Sequence, residues 1–198
     1  MSGSRIPPSP AESREYRITF RPLTRDDLEL MRRWLGDPDV SPWYRAGELT
    51  PEGMDAHYGP KIDGREPTQG FIILIDDRPA GYIQTYVLGD HPHYLEQLDL
   101  EPDVVSTDLF LGEPAVRNHG WGAPVLRAFH RQIVFGEMGA RVASIMPSIR
   151  NDRAVAAYRR AGFTWHRVVR VHDPETDETD DEVIMLLSRT AFIEQDLG

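Results

Sequence analysis

The chain contains no cysteine, which excludes a disulfide framework, a thiolate zinc site and a cysteine nucleophile. It has almost no lysine: of 22 basic side chains only Lys61 is one, the rest being arginine. No stretch approaches the ~18 uninterrupted apolar residues that a membrane-crossing helix needs. The opening segment, Met1 to Pro10, is rich in serine and proline and lacks the apolar core of a secretory signal. These absences describe an expected cytoplasmic protein.

What is present is enough apolar material for one core. The 198 residues are 40% hydrophobic, in the range of a globular domain. Acidic residues outnumber basic ones 32 to 22, a net charge of −10. Such a surface repels phosphate backbones and anionic lipid, so neither nucleic acid nor a membrane is expected as a partner. It attracts cations, a polyamine or an amino sugar among them, although acidity also serves plain solubility.

Residues 1–14 read as a disordered arm, with a single domain over 15–198. Residues 16–20 alternate as a strand, and Thr24 caps an amphipathic helix closed by Gly36. Residues 40–68 read as short helices and loops. Phe71–Ile75 and Tyr82–Val87 flank an Asp-Asp turn, an antiparallel hairpin. Residues 89–103 read as a long acidic loop and Thr107–Leu111 as a short strand. A helix over 124–135, a strand over 141–146, a helix from Asn151 to Ala161 stopped by Gly162, and two closing strands complete the order. The fold class is α/β, a mixed sheet flanked by helices.

Arg117-Asn118-His119-Gly120-Trp121-Gly122 lies between a strand and a helix. Two glycines let backbone approach an anion, and the free N–H groups of the helix start point at it. Pro124 fits the first helical turn, which needs no N–H from it. A dinucleotide fingerprint is excluded because the motif follows a long antiparallel section. An ATP loop is excluded because no Lys-Ser/Thr follows the glycines. One strand later comes Asn151-x-x-Ala154-x-x-x-Tyr158-x-x-x-Gly162-Phe163, placing Asn151 and Tyr158 two turns apart on one helix face.

In order and spacing these motifs resemble the GNAT superfamily of acetyl-CoA-dependent N-acetyltransferases, over roughly residues 16–190. The segments WLGDPDVSPWY, AGYIQTYV, STDLFLGEP and NDRAVAAYRRAGF look like those of the aminoglycoside 6'-N-acetyltransferases. They are also similar to the hydroxamate-siderophore acyltransferases, which share the Gly-Glu-Pro of 112–114 but place a His where this chain has Asp108. The resemblance implies a GNAT fold, a mixed and mostly antiparallel central sheet. It also implies acetyl-CoA as acyl donor and transfer to a primary amine of a cationic small molecule. The rivals are a siderophore or polyamine-type amine as acceptor, a protein N-terminus, and a binding module that holds acyl-CoA or a cationic drug without turnover.

The resemblance assigns roles residue by residue. Asp108 is the base that takes the amine proton, against an ordinary strand polar residue. Backbone N–H groups of Phe110 and Leu111 are placed at the thioester oxygen. Tyr158 protonates the departing thiolate, or is a core aromatic. Arg117, Asn118, His119, Gly120, Trp121 and Gly122 hold the cofactor's phosphates, and Asn151 either binds its amide arm or simply caps a helix.

Glu96, Asp99, Glu101 and Asp103 are candidates for meeting the acceptor's ammonium groups, with Asp108, since charge-assisted hydrogen bonds are the strong ones. Trp43, Tyr44 and Tyr58 either wall the acceptor site or pack. Met146 stands before Pro147-Ser148 where the aminoglycoside enzymes carry an acidic residue. Three other features carry less. His91 and His93 lack the further ligands a zinc site needs, so no metal is expected. The acidic run 173–184 has Glu178 and Ile184 where a calcium loop needs Gly and Glu; it reads as a solvated hairpin tip. Arg150 and Arg153 either meet the cofactor's 3'-phosphate or form a charged helix face.

Overall fold

The computed structural model describes residues 9–10, 16–44, 47–173 and 177–197. The expected disordered arm therefore lies largely outside the described residues. Seven strands form one sheet: β1 (Ile18–Pro22), β2 (Gln69–Ile75), β3 (Arg78–Val87), β4 (Val105–Leu111), β5 (Val142–Ile145), β6 (Thr164–Asp173) and β7 (Glu178–Ser188), in spatial order β1-β2-β3-β4-β5-β7-β6. Only β4 and β5 run parallel. Six α-helices flank it: α1 (Leu28–Leu35), α2 (Pro51–Ile62), α3 (Pro92–Leu98), α4 (Gly122–Phe129), α5 (Asp152–Arg160) and α6 (Arg189–Leu197). No helix among the described residues is long and apolar enough to cross a membrane.

Local chemistry explains most elements. Asp76 and Asp77 both take positive φ, 48° and 64°, as a two-residue hairpin turn requires, and Asp tolerates that region because its carboxylate bonds locally. The side chain of Asn151 accepts from Ala154 N–H at 3.1 Å and starts α5, while Gly162, at φ 105°, ends it.

Alternation along the strands divides the core. Ile72, Tyr82 and Phe110 face α1 and α2, meeting Met31, Trp34, Leu35, Met54 and Tyr58. Phe71, Ile73 and Ile83 face the other way, toward Val125, Leu126 and Phe129 of α4, Val155 of α5 and Phe192 of α6. Gly112 and Glu113, just past β4, tie the sheet to α1. Trp34 Nε1 and an Arg33 guanidinium nitrogen each donate to Glu113 Oε1 at 2.9 Å. The Gly-Glu-Pro signature is thus a strut.

The structure corrects several expectations. Residues 89–103 are not one loop, because α3 occupies their middle. With only seven residues and a start at His91-Pro92, α3 has too little apolar periodicity to announce itself, and Asp99 at φ 44° ends it. Residues 40–68 hold one twelve-residue helix, α2, rather than several short ones. The helix over 124–135 continues as a π-helical stretch from His130 to Glu137. Beyond the two closing strands the chain adds a further helix, α6.

His130, in that π-helical stretch, is buried against Phe129, Phe135 and Phe163. Its Nδ1–H donates to the Leu126 carbonyl at 2.8 Å. Burial pulls its pKa down from 6.5 to about 4. The unfolded chain therefore takes up a proton that the folded one refuses. Stability is full above pH 6.5 and falls as pH drops toward about 4, by up to roughly 3 kcal/mol. Urea unfolding across that window should show the loss in the wild type, and His130→Gln should flatten it.

Candidate active site

β4 and β5 share only two rungs, Val105 with Ala143 and Ser106 with Ser144. Beyond them β5 stays with β7, as Ile145 pairs with Met185, while β4 runs on beside β3 to Leu111. The two strands part, and the sheet opens into a seam at its centre. A cleft of about 700 Å³ runs through this seam, lined by Asp108 to Leu111 on one side and Ile145 to Ser148 on the other.

Two hydrogen bonds fix which amides face the seam. Gly112 N–H donates to the Ala80 carbonyl at 2.9 Å and Leu88 N–H to the Val104 carbonyl at 3.0 Å. In an antiparallel ladder this parity commits Ser106, Asp108 and Phe110 to β3. Leu109 and Leu111 turn their N–H groups the other way, into the seam. Of the two residues expected to offer amides, Leu111 has its N–H in the seam and Phe110 has its N–H bonded to β3. Leu109 takes its place. No pattern in the sequence distinguishes the two parities without the partner strand.

Asp108 projects to the α1/α2 side of the sheet, directly across from Gln84. Gln84 Nε2 donates to its Oδ2 at 3.0 Å. Desolvation nevertheless dominates and raises the Asp108 pKa above the ordinary carboxylate value. Tyr158, on α5, lines the same cleft. Its burial, and then the negative charge of Asp108, push the phenol above its usual value, so it stays a proton donor. A raised carboxylate and a protonated phenol share one cavity.

The turn before α4 forms the other end. Asn118 and Gly120 take positive φ, 62° and 89°; the second lies where only glycine is at ease. A Cβ on Gly122 would press the Ala157 methyl at 3.3 Å, so the two helices leave that backbone bare. The Arg117 guanidinium is already engaged: two nitrogens bond Asp37 at 2.6 and 2.7 Å. It anchors the turn to the end of α1, and the Asp37 carboxyl is held down at about 2 by that pair. One Arg153 guanidinium nitrogen donates to Asn118 Oδ1 at 2.8 Å, bracing the same turn from α5. Arg117, Asn118, Gly120, Trp121, Gly122 and Asn151 all line the cleft, whereas His119 is exposed outside it.

Of the aromatic candidates, Trp43 and Tyr44 line the cleft, Tyr44 edge-on to the Phe110 ring at 4.8 Å. Tyr58 does not, for it is fully buried between α2 and the sheet. Glu96, Asp99, Glu101 and Asp103 also stay outside. Asp103 pairs with Arg141 at 2.6 Å, and Asp99 is spent at the end of α3. The cleft's acidic groups come from elsewhere: Asp39, Glu66, Asp180 and Glu182, beside Asp108. Asp180 and Glu182 belong to the acidic run assigned above to a solvated tip. Their period of two places both on one face of β7, a signal the sequence does hold. Arg150 pairs with Asp180 at 3.2 Å and does not line the cleft. His57, Lys61, His91, His93 and Met146 line it as well. Among the described residues no cluster of three His, Cys, Asp or Glu is arranged to hold a metal.

A parted seam offering two amides, a bare helix-start turn suited to an anion, and a carboxylate and a phenol lining one cavity are the parts of an acyltransferase site. Residues 24–171 match the family model described as an acetyltransferase (GNAT) domain, and the chain belongs to that family. It is 28% identical over 178 residues to the aminoglycoside N(6')-acetyltransferase type 1 of Klebsiella pneumoniae, covering 88% of this chain and 85% of that one. It superposes on AAC(6')-Ib in complex with paromomycin and acetyl-CoA with TM-score 0.77 and 25% identity, over 89% of this chain and 96% of that one. The same protein in complex with ribostamycin and coenzyme A gives 0.76, also at 25% identity and with the same coverage of this chain.

Proposed function

We propose that the protein transfers the acetyl group of acetyl-CoA to a primary amine of a cationic amino sugar, the 6'-amine of an aminoglycoside, in the cytoplasm. The observation that carries this is Asp108, a desolvated carboxylate held by Gln84 at the open seam. Asp180 and Glu182 add negative charge to the same cavity, and charged hydrogen bonds to carboxylate are what ammonium groups seek. The names of the relatives agree with the reading.

The residues fit the donor. The turn 117–122 leaves backbone N–H groups at the start of α4 for a pyrophosphate, and Gly120 and Gly122 keep the approach clear. Bound there, the donor supplies an activated acetyl thioester. Leu109 and Leu111 N–H groups are aligned to stabilise charge on its carbonyl oxygen. Asp108 takes the proton of the attacking amine, directly or through water, since an ammonium has no lone pair. Tyr158 gives a proton to the departing sulfur.

Thiol release from acetyl-CoA against a panel of amines tests this. Turnover with kanamycin and tobramycin, and none with paromomycin, whose 6' group is a hydroxyl, is the expected pattern. Turnover only with spermidine or a hydroxylated diamine would overturn the acceptor while keeping the chemistry. That second acceptor class is favoured by one observation: Met146 puts an apolar side chain in the cleft.

A further inference from the structure

Lys61, the chain's sole lysine, stands in a cavity lined by the carboxylates Asp39, Glu66, Asp108, Asp180 and Glu182 and by Arg117, Arg153 and Arg160. It lies in the last turn of α2, half-buried. Its Nζ donates to His57 Nε2 at 3.1 Å and sits 5.3 Å from the centroid of the Tyr58 ring. Lys61 lines the cleft together with Glu66, Gln84, Tyr86 and Asp108. Its charge reaches both sides of that space: it favours the ionised form of Asp108 and disfavours protonation of His91.

A pocket that recognises ammonium groups gains from each carboxylate it presents. A resident ammonium works against that gain, and in a partly desolvated cleft like charges a few ångströms apart repel appreciably. The penalty grows with the number of positive groups on the acceptor. An acceptor with one ammonium gives it to Asp108 and turns hydroxyl oxygens toward Lys61, which is a donor only. Each further ammonium must settle away from Lys61 or be repelled by it.

We propose that Lys61 is a specificity-determining residue that discriminates among acceptors by their number of ammonium groups, favouring amino sugars whose reacting amine is neighboured by hydroxyls. The proposal rests on the amino-sugar reading given above and adds a selection within that class. It uses the placing of Lys61 in one cavity with Glu66 and Asp108, whereas Arg117 and Asp180 in that cavity are already paired with Asp37 and Arg150.

The test compares the wild type, Lys61→Gln and Lys61→Arg on kanamycin, which carries several ammonium groups, and on 6-amino-6-deoxyglucose, which carries one. Lys61→Gln is expected to lower KM for kanamycin about five- to tenfold, with kcat within about twofold. Its KM for the single amine should rise about twofold or more as the hydroxyl contact is lost, so the two acceptors move in opposite directions, and Lys61→Arg should keep the wild-type preference. Calorimetric titration of kanamycin into the coenzyme A-loaded protein reads the same shift without turnover. Equal changes for both acceptors, a fall in kcat for both, or no change at all would overturn the proposal. Failure of the amino-sugar reading looks different: no protein acetylates or binds kanamycin or the amino sugar while another amine is turned over, and the proposal falls with it.

Discussion

Asp108→Asn is expected to lower kcat/KM for the amine acceptor by about 10²–10³ at neutral pH, the usual worth of a positioned general base. The amide keeps the volume and the Gln84 contact but cannot take a proton. The pH profile makes the assignment specific. Desolvation raises the Asp108 pKa, so the base is lost to protonation as pH falls through a value above the ordinary carboxylate range. In the wild type that loss shapes the acid limb of kcat/KM, and in the variant its contribution should vanish. Acetyl-CoA affinity should change little, because the turn proposed for the donor lies around Gly120. A variant with wild-type rate would instead make Asp108 a plain strand residue and return the binding-module reading to contention.

Gly112→Ala should cost the fold more than any other single methyl group considered above. A Cβ at Gly112 would fall inside the Trp34 indole. That ring is 2% exposed, and Glu113 holds it in place through its N–H. It cannot swing aside as the tip of a flexible side chain would. Overpacking of this kind, with the Trp34 hydrogen bond strained in addition, is expected to cost about 3 kcal/mol. For a domain of this size that is a fall of roughly 6–12 °C in Tm, measurable by thermal unfolding. Trp34→Phe, which shortens the ring but loses the bond to Glu113, should partly relieve the substituted protein in a double-mutant comparison.

Much of this architecture is legible before any coordinates are seen, because its signals are local. The Asp76-Asp77 turn, the Asn151 cap with Gly162 at the far end, and the glycines of 117–122 each state a backbone need that few residues meet. The features that escape are set by partners distant in sequence. Tyr58 has the composition of a wall residue, yet α2 packs against the sheet and buries it. Asp180 and Glu182 look like part of a solvated tip until β7 is paired and their shared face found. Phe110 and Leu109 are indistinguishable as amide donors until β3 fixes the parity of the ladder. Arg117 reads as a phosphate ligand by type, but Asp37, eighty residues away, has claimed its guanidinium. Helix α3 is short enough that its ends, His91-Pro92 and Asp99, outweigh its few apolar residues.

The parting of β4 from β5 has a kinetic corollary. Hydrogen exchange is slowest where an amide is bonded inside a sheet, and β4 is the middle strand of seven. Its even-numbered amides at Asp108 and Phe110 are locked to β3 and can exchange only when the sheet opens. Those of Leu109 and Leu111, on the same strand, have no strand beside them. The centre of the molecule is therefore expected to carry two exchange clocks on alternate residues, and under the proposed function the faster one slows when a carbonyl oxygen fills the seam.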